Sequence, residues 1–177
     1  MTTSSNLNDQ LNHYIKEYRE DGIFLDANVL LLLLISEFDV MLVGGKRLEK
    51  YSGLDAQLLS GFVEKFSRIL TTAPILTEVS NLAGSILSGR KKREFFDQML
   101  PIFDSTDSAS ICQCSVHGIK LVPETFSRLG FTDASIISIA LEKHFLLTDD
   151  LDLYLDAQNK GIPAINFTHM REAADLL

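Results

Sequence analysis

Ile23-Phe24-Leu25-Asp26-Ala27-Asn28-Val29-Leu30 is the stretch whose reading decides the fold. Three apolar residues run into an aspartate. A small residue, an asparagine and a longer apolar run follow. The pattern predicts a buried strand over 23–26 that presents Asp26 at its C-terminal end, then a helix over 28–37. In open α/β sheets, ligands bind outside the carboxyl ends of the strands. Asp26 and Asn28 are therefore candidate oxygen donors. A second stretch of the same make-up, His144-Phe145-Leu146-Leu147-Thr148, predicts a strand that delivers Thr148, Asp149, Asp150 and then Asp152.

Between and around these stretches, helical and extended patterns alternate. Leu7, Leu11, Tyr14, Ile15 and Tyr18 have helical spacing and predict an amphipathic helix over 6–20, ended at Asp21-Gly22. Its apolar stripe either packs on the domain's own surface or docks on a partner. The pattern weakens over 38–53, where Gly44-Gly45 is followed by a small basic cluster of Lys46, Arg47 and Lys50. Helical spacing returns over 54–70. Ala73-Pro74-Ile75-Leu76 reads as a short strand or an extended lead-in, with Thr77 capping a helix to Leu87 that carries Glu78 in its first turn. Arg90-Lys91-Lys92-Arg93 opens another helix, where four cations oppose the helix dipole. That run is either a solvated face or a phosphate contact beside an acidic site.

Residues 104–120 take no clear assignment, and Leu121-Val122-Pro123 reads as extended. Gly130 permits a turn, Thr132 is placed to cap, and Asp133 falls in the first turn of a helix through Leu141. A helix around Leu153 ends at Lys160-Gly161. A last strand over 162–167 and a last helix over 168–176 follow. Helices separated by short apolar strands predict an α/β fold with a parallel sheet covered on both faces. The length of 177 residues fits one domain at 22–177 plus an N-terminal helical arm at 1–21.

Composition narrows the function classes. An apolar fraction of 46% supports a sizeable core. No stretch approaches the ~20 apolar residues of a membrane helix, and the polar N-terminus lacks a signal-peptide pattern, so the expectation is a cytoplasmic protein without membrane association. The net charge of −8 argues against adhesion to nucleic acid through a broad basic surface. It leaves room for an enzyme whose grouped carboxylates bind cations. Cys112 and Cys114, with only His117 close by, are too few for a disulfide scaffold or a complete metal site and read as buried or partly buried free thiols.

Asp26, Glu78, Asp133 and Asp150 each sit at a predicted strand end or helix start. Parallel strands would bring them to one edge of the sheet. Grouped carboxylates repel one another unless protonated or bridged by cations. Oxygen donors alone select Mg²⁺ or Mn²⁺ over Zn²⁺.

At these four places the chain resembles the PIN-domain ribonucleases, a family that includes the toxin nucleases of bacterial toxin–antitoxin pairs. The matching pieces are Leu25-Asp26-Ala27-Asn28-Val29-Leu30, Glu78, Leu129-Gly130-Phe131-Thr132-Asp133-Ala134 and Leu147-Thr148-Asp149-Asp150. The resemblance implies a three-layer α/β/α sandwich and a Mg²⁺- or Mn²⁺-dependent endoribonuclease acting on RNA. It implies that Asp26, Glu78, Asp133 and Asp150 hold metal and are catalytic, with Asn28 and Thr148 in support and Asp149 or Asp152 assisting or replacing Asp150. Arg90, Lys91, Lys92 and Arg93 are the candidate nucleic-acid contacts. An antitoxin or other protein partner and a homodimer are compatible with the family. Relative to its compact members, residues 39–53 read as an insertion and the N-terminal helix as an addition.

Two rival readings have distinct signatures. A haloacid-dehalogenase-like phosphatase also begins with a strand-end Asp, but it resembles families that need Asp-x-Asp, and position 28 is Asn. A non-catalytic PIN-like scaffold would bind RNA or a protein without cutting.

Overall fold

The computed structural model of the protein describes residues 3–103, 111–114, 121, 123–140 and 144–175. His117, Val122, Leu141 and the expected end of the last helix at 176 lie outside the described residues.

Five parallel strands form one sheet: β1 (Ile23–Leu25), β2 (Ile69–Thr72), β3 (Ile111–Cys114), β4 (Phe145–Thr148) and β5 (Ala164–Asn166), in the order β3-β2-β1-β4-β5. In the centre, Ile23 stands opposite both Ile69 and Phe145. The helices are α1 (Thr3–Tyr18), α2 (Ala27–Asp39), α3 (Gly53–Val63), α4 (Ala73–Ile86), α5 (Gly89–Phe103), α6 (Pro123–Leu129), α7 (Phe131–Ala140), α8 (Leu151–Asn159) and α9 (Phe167–Ala173). They cover the sheet as the outer layers of an α/β/α sandwich, the expected fold class. The reason is visible in the strands. β1, β2, β4 and β5 are buried along their whole length, as parallel strands covered on both faces must be. Helix α2 is buried from Val29 to Ile35 on every side, because a helix that is apolar all round belongs in the core.

Helix α1 lies against this same core. Its Tyr14 ring sits 5.0 Å from that of Phe145, and Leu7, Leu11, Ile15 and Tyr18 are partly buried against the cluster. The link from α1 to β1 turns at Gly22, where φ is +95° and a Cβ would come within 2.7 Å of Arg68 Cγ and 2.8 Å of its carbonyl oxygen. Only glycine suits such a place.

The largest boundary differences from the sequence expectation lie around β2 and at the starts of α4 and α7. β2 is Ile69–Thr72 rather than 73–76, and the helix expected over 54–70 stops at Val63. Thr72, extended at φ −133° and ψ 161°, accepts from Ile75 N through its side chain and is the cap of α4. Pro74 then falls in the first helical turn, where its missing N–H costs nothing. Thr77 is interior, its hydroxyl donating to Ala73 O at 2.8 Å, and Glu78 moves to the second turn. α7 begins at Phe131, so Thr132 lies inside it and is not its cap. β3 lies in the stretch that takes no clear assignment from sequence, and α6 opens at Pro123, which was expected to be extended but stands at a first helical position that proline tolerates. In β3, Cys112 and Cys114 are partly buried and Gln113 is exposed, as suits the end strand of the sheet.

Candidate functional site

The chain steps outward from β1 to β2 and β3, then returns to the other side of β1 for β4 and β5. The strand order therefore reverses between β1 and β4, and the carboxyl ends of those strands frame the crevice where such sheets bind ligands. Asp26 follows β1 and Thr148 closes β4.

Asp26 is almost fully buried. Its Oδ1 accepts from Val29 N at 2.8 Å, capping α2. Its Oδ2 accepts from the Thr148 hydroxyl and from Asp149 N at 3.0 Å. Thr148 also accepts from Asp150 N at 2.9 Å, so one hydroxyl couples the ends of both strands. Burial, and then the charge of Asp149, raise the Asp26 carboxyl to about 6 against these three hydrogen bonds. The site's central acid is thus held in place yet reluctant to ionise.

Asp133, in the first turn of α7, is partly buried. Burial raises its carboxyl to about 7, and the charges of Asp26, Asp150 and Glu78 add to the rise in that order. The four sequence-predicted carboxylates therefore share one electrostatic neighbourhood centred on Asp133. They do not close on one point: among the described residues, no three His, Cys, Asp or Glu side chains form a group set to hold a metal ion.

Asp150 is exposed and caps α8, its Oδ1 accepting from Asp152 N at 2.8 Å and Leu153 N at 3.0 Å. Asp152 is exposed in the first turn of α8, and Asn28 is exposed in the first turn of α2. Glu78 is partly buried on α4.

Asp149 takes a different role from its neighbour. Its side chain is only 2% exposed and is met by Lys50 Nζ at 2.5 Å from Oδ2. The Tyr51 hydroxyl donates to the same oxygen. Oδ1 is buried without a hydrogen-bond partner among the described residues. Burial first, and the Asp149 charge second, hold the Tyr51 phenol well above its usual range, so it stays a donor.

The residues behind Tyr51 were not visible as site residues in the sequence. Buried Arg171 of α9 donates through Nε to Asp55 Oδ1 at 2.6 Å and through Nη2 to Lys50 O at 2.6 Å. Its guanidinium lies 5.3 Å from the Tyr51 ring centroid. Asp55 is fully buried and also closes a capping box with Ser52 at the start of α3. Arg171 and Ser52 hold its carboxylate below the usual range, against the effect of burial. The one local signal was Ser52-x-x-Asp55, a capping-box spacing that marks a helix start. Nothing local joins Tyr51 to Asp149.

The basic run Arg90–Arg93 stands away from this edge. It follows the far end of α4, whose 14 residues span about 20 Å. Lys91 pairs with Asp39 at the C-terminal end of α2, 2.6 Å apart, and Arg90 pairs with Glu94 on its own helix. Of the two alternatives the sequence left open, these pairs favour the solvated face over a phosphate contact beside the carboxylates. Proximity in sequence to the Glu78 helix is undone by the length of α4, which carries the chain away from the carboxylate edge before α5 begins.

Among known proteins, no family model, no curated protein and no solved structure matched the chain. Among the described residues, no helix is long and apolar enough to cross a membrane.

Proposed function

We propose that the protein is a cytoplasmic, Mg²⁺- or Mn²⁺-dependent endoribonuclease of the PIN-domain kind, hydrolysing RNA phosphodiester bonds at the β1/β4 crevice. The observation that carries the reading is the joining of Asp26 to Thr148 and Asp149 at the switch point, with Asp133 close enough to feel the charges of Asp26, Asp150 and Glu78. The chemistry of the donors suits a hard divalent cation, which would have to draw together side chains that stand apart in this structure. The donors are all oxygen, and the raised Asp26 and Asp133 carboxyls are those that a nearby cation would let ionise. Asp26, Glu78, Asp133 and Asp150 would hold the ion.

When bound, such a cation supplies Lewis-acid stabilisation of phosphoryl charge and lowers the pKa of water. The chain's own residues do the rest. Thr148 and Asp149 N fix the Asp26 carboxylate, with its second oxygen committed to Val29 N. Asp133, raised by burial and by the charges of Asp26, Asp150 and Glu78, is the carboxyl that gains most from a cation held beside it. Asp150 is kept in one rotamer by the two backbone donors of α8. Membership of a toxin–antitoxin pair is part of the family resemblance and would require a separate antitoxin chain.

The test is cleavage of a panel of labelled RNAs and single-stranded DNA with EDTA, Mg²⁺ or Mn²⁺. Asp26→Asn and Asp133→Asn serve as controls, since asparagine keeps a capping side chain at position 26. Metal-dependent cutting lost in both variants is the expected result. Metal-induced thermal stabilisation without cutting of any substrate would favour the non-catalytic scaffold, and neither effect would end the metal reading.

A further inference from the structure

The turn between α2 and α3 carries Lys46, Arg47 and Lys50 against a single carboxylate, Glu49. Its anchors are buried: Leu48 is 1% exposed and Tyr51 4%. Leu48 N donates to Gly45 O at 2.8 Å and Tyr51 N to Leu48 O at 2.9 Å, so the cations project from a wound, pinned backbone. Arg47 adopts φ 71°, a left-handed conformation that disfavours a side chain with Cβ. Local strain of this kind collects at functional sites.

The turn ends at the carboxylate edge. Lys50 Nζ sits 2.5 Å from Asp149 Oδ2, and its side chain is 56% exposed above a carboxylate that is 2% exposed. An ammonium has three N–H donors. Asp149 engages it from below, and the solvent side is open to another acceptor. The lysine also lies 5.2 Å from the Tyr51 ring centroid, which limits its swing. Among the described residues, this is the one ion pair made by any of Asp26, Glu78, Asp133, Asp149 and Asp150. A chain of net charge −8 that handles a polyanion needs local cations where the phosphates pass. The basic run of α5 stands at the other end of α4.

We propose that the Lys46–Lys50 turn is the phosphate-binding rim of the crevice, taking the sugar–phosphate backbone of single-stranded nucleic acid, with Lys50 at the phosphate nearest the carboxylates. Tyr51 and Asp149 are positioning residues that hold Lys50 there. The choice of ligand rests on the nuclease reading. Contacts to phosphate by lysine and arginine set affinity and its salt dependence without reading sequence.

The probe is a fluorescein-labelled, mixed-sequence single-stranded RNA of about 20 nucleotides, long enough to cross a single-strand site. Its binding to the full chain is followed by anisotropy with EDTA and with Mg²⁺ over a salt series, and its integrity is checked on a gel. Lys50→Ala is expected to weaken binding about tenfold and to flatten the log–log salt slope by about 0.7. Lys50→Arg is expected to restore most of the affinity. Lys46→Ala with Arg47→Ala should flatten the slope further.

Where cleavage is measurable, Lys50→Ala should raise KM with little change in kcat. Tyr51→Phe should act in the same direction more weakly. A thermal shift in Lys50→Ala with unchanged affinity and slope would mean a structural tie only, and would overturn the proposal. So would wild-type chain that binds the RNA in neither buffer. Metal-dependent cutting whose kcat/KM ignores all three cations would remove the rim and keep the nuclease. Slope and affinity losses without any cutting would keep the rim and remove the nuclease.

Discussion

Asp133→Asn gives the most direct test of the carboxylate neighbourhood. The folded protein raises this carboxyl from 3.8 to about 7, by burial first and by Asp26, Asp150 and Glu78 next. Between about pH 4 and about pH 7 the folded chain keeps a proton that the unfolded chain has released. Stability therefore falls as pH rises through that window and levels off above it. At about 1.36 kcal/mol per tenfold step, the full shift corresponds to roughly 4 kcal/mol. Asp133 is partly open to solvent, and screening reduces the usable part to about 1–2 kcal/mol. Asparagine removes the charge and has no hydrogen bond to lose among the described residues. The variant should then melt about 2–8 °C higher than wild type at pH 8 in EDTA, and at the same temperature at pH 4. Thermal melts across pH measure this directly. Added Mg²⁺ or Mn²⁺ should raise the wild-type melting temperature at pH 8 more than that of the variant. An Asp133→Asn gain that is equal at pH 4 and pH 8 would refute the reasoning, because it would not come from a titrating charge.

Three further outcomes are expected. Arg171→Met leaves Asp55 buried without its bidentate partner and should cost about 3–5 kcal/mol in urea unfolding, with part recovered by adding Asp55→Leu. Thr148→Val keeps shape but removes the donor to Asp26 Oδ2 and the acceptor for Asp150 N; a loss of about 1–3 kcal/mol and of metal-dependent cutting should be seen in denaturation and cleavage assays. Gly22→Ala places a Cβ against Arg68 at positive φ and should lower stability by about 1–2 kcal/mol or more, read from the urea midpoint.

The sequence made the centre of the sheet legible and its flank much less so. β1 and β4 are apolar runs that stop at a polar residue, and that pattern marks both burial and the carboxyl end. β2 was displaced because Ile69-Leu70-Thr71-Thr72 hides two buried threonines, while Ala73-Pro74-Ile75-Leu76 looks more strand-like by hydropathy. Its Pro74 belongs to a helix start, a distinction that rests on the Thr72 cap and not on apolarity. β3 alternates only weakly and carried no run to detect. Placing strand ends on one edge accounts for the charges of Asp26, Asp150 and Glu78 felt at Asp133, while the closed carboxylate group that the sequence led one to expect is not formed among the described residues. The Lys50, Tyr51, Asp55 and Arg171 network was not legible, because its pairs lie 98 residues apart for Tyr51–Asp149 and 116 for Asp55–Arg171. Such pairs are set by three-dimensional closure, and each residue alone looks like ordinary surface.

The partners of Asp26 have a consequence for how the chain is made. Its Oδ2 is satisfied by Thr148 and Asp149, which follow it by 122 and 123 residues. β1 cannot acquire its β4 neighbour until that late segment exists, although β2 is available early. During vectorial synthesis from the ribosome, the crevice edge therefore has one wall and an unsatisfied carboxylate until β4 emerges. Long-range parallel pairing of this kind is also slow, since loop closure precedes any reward. Whatever chemistry the crevice performs is withheld from the nascent chain until the Thr148–Asp149 segment has emerged and closed on Asp26.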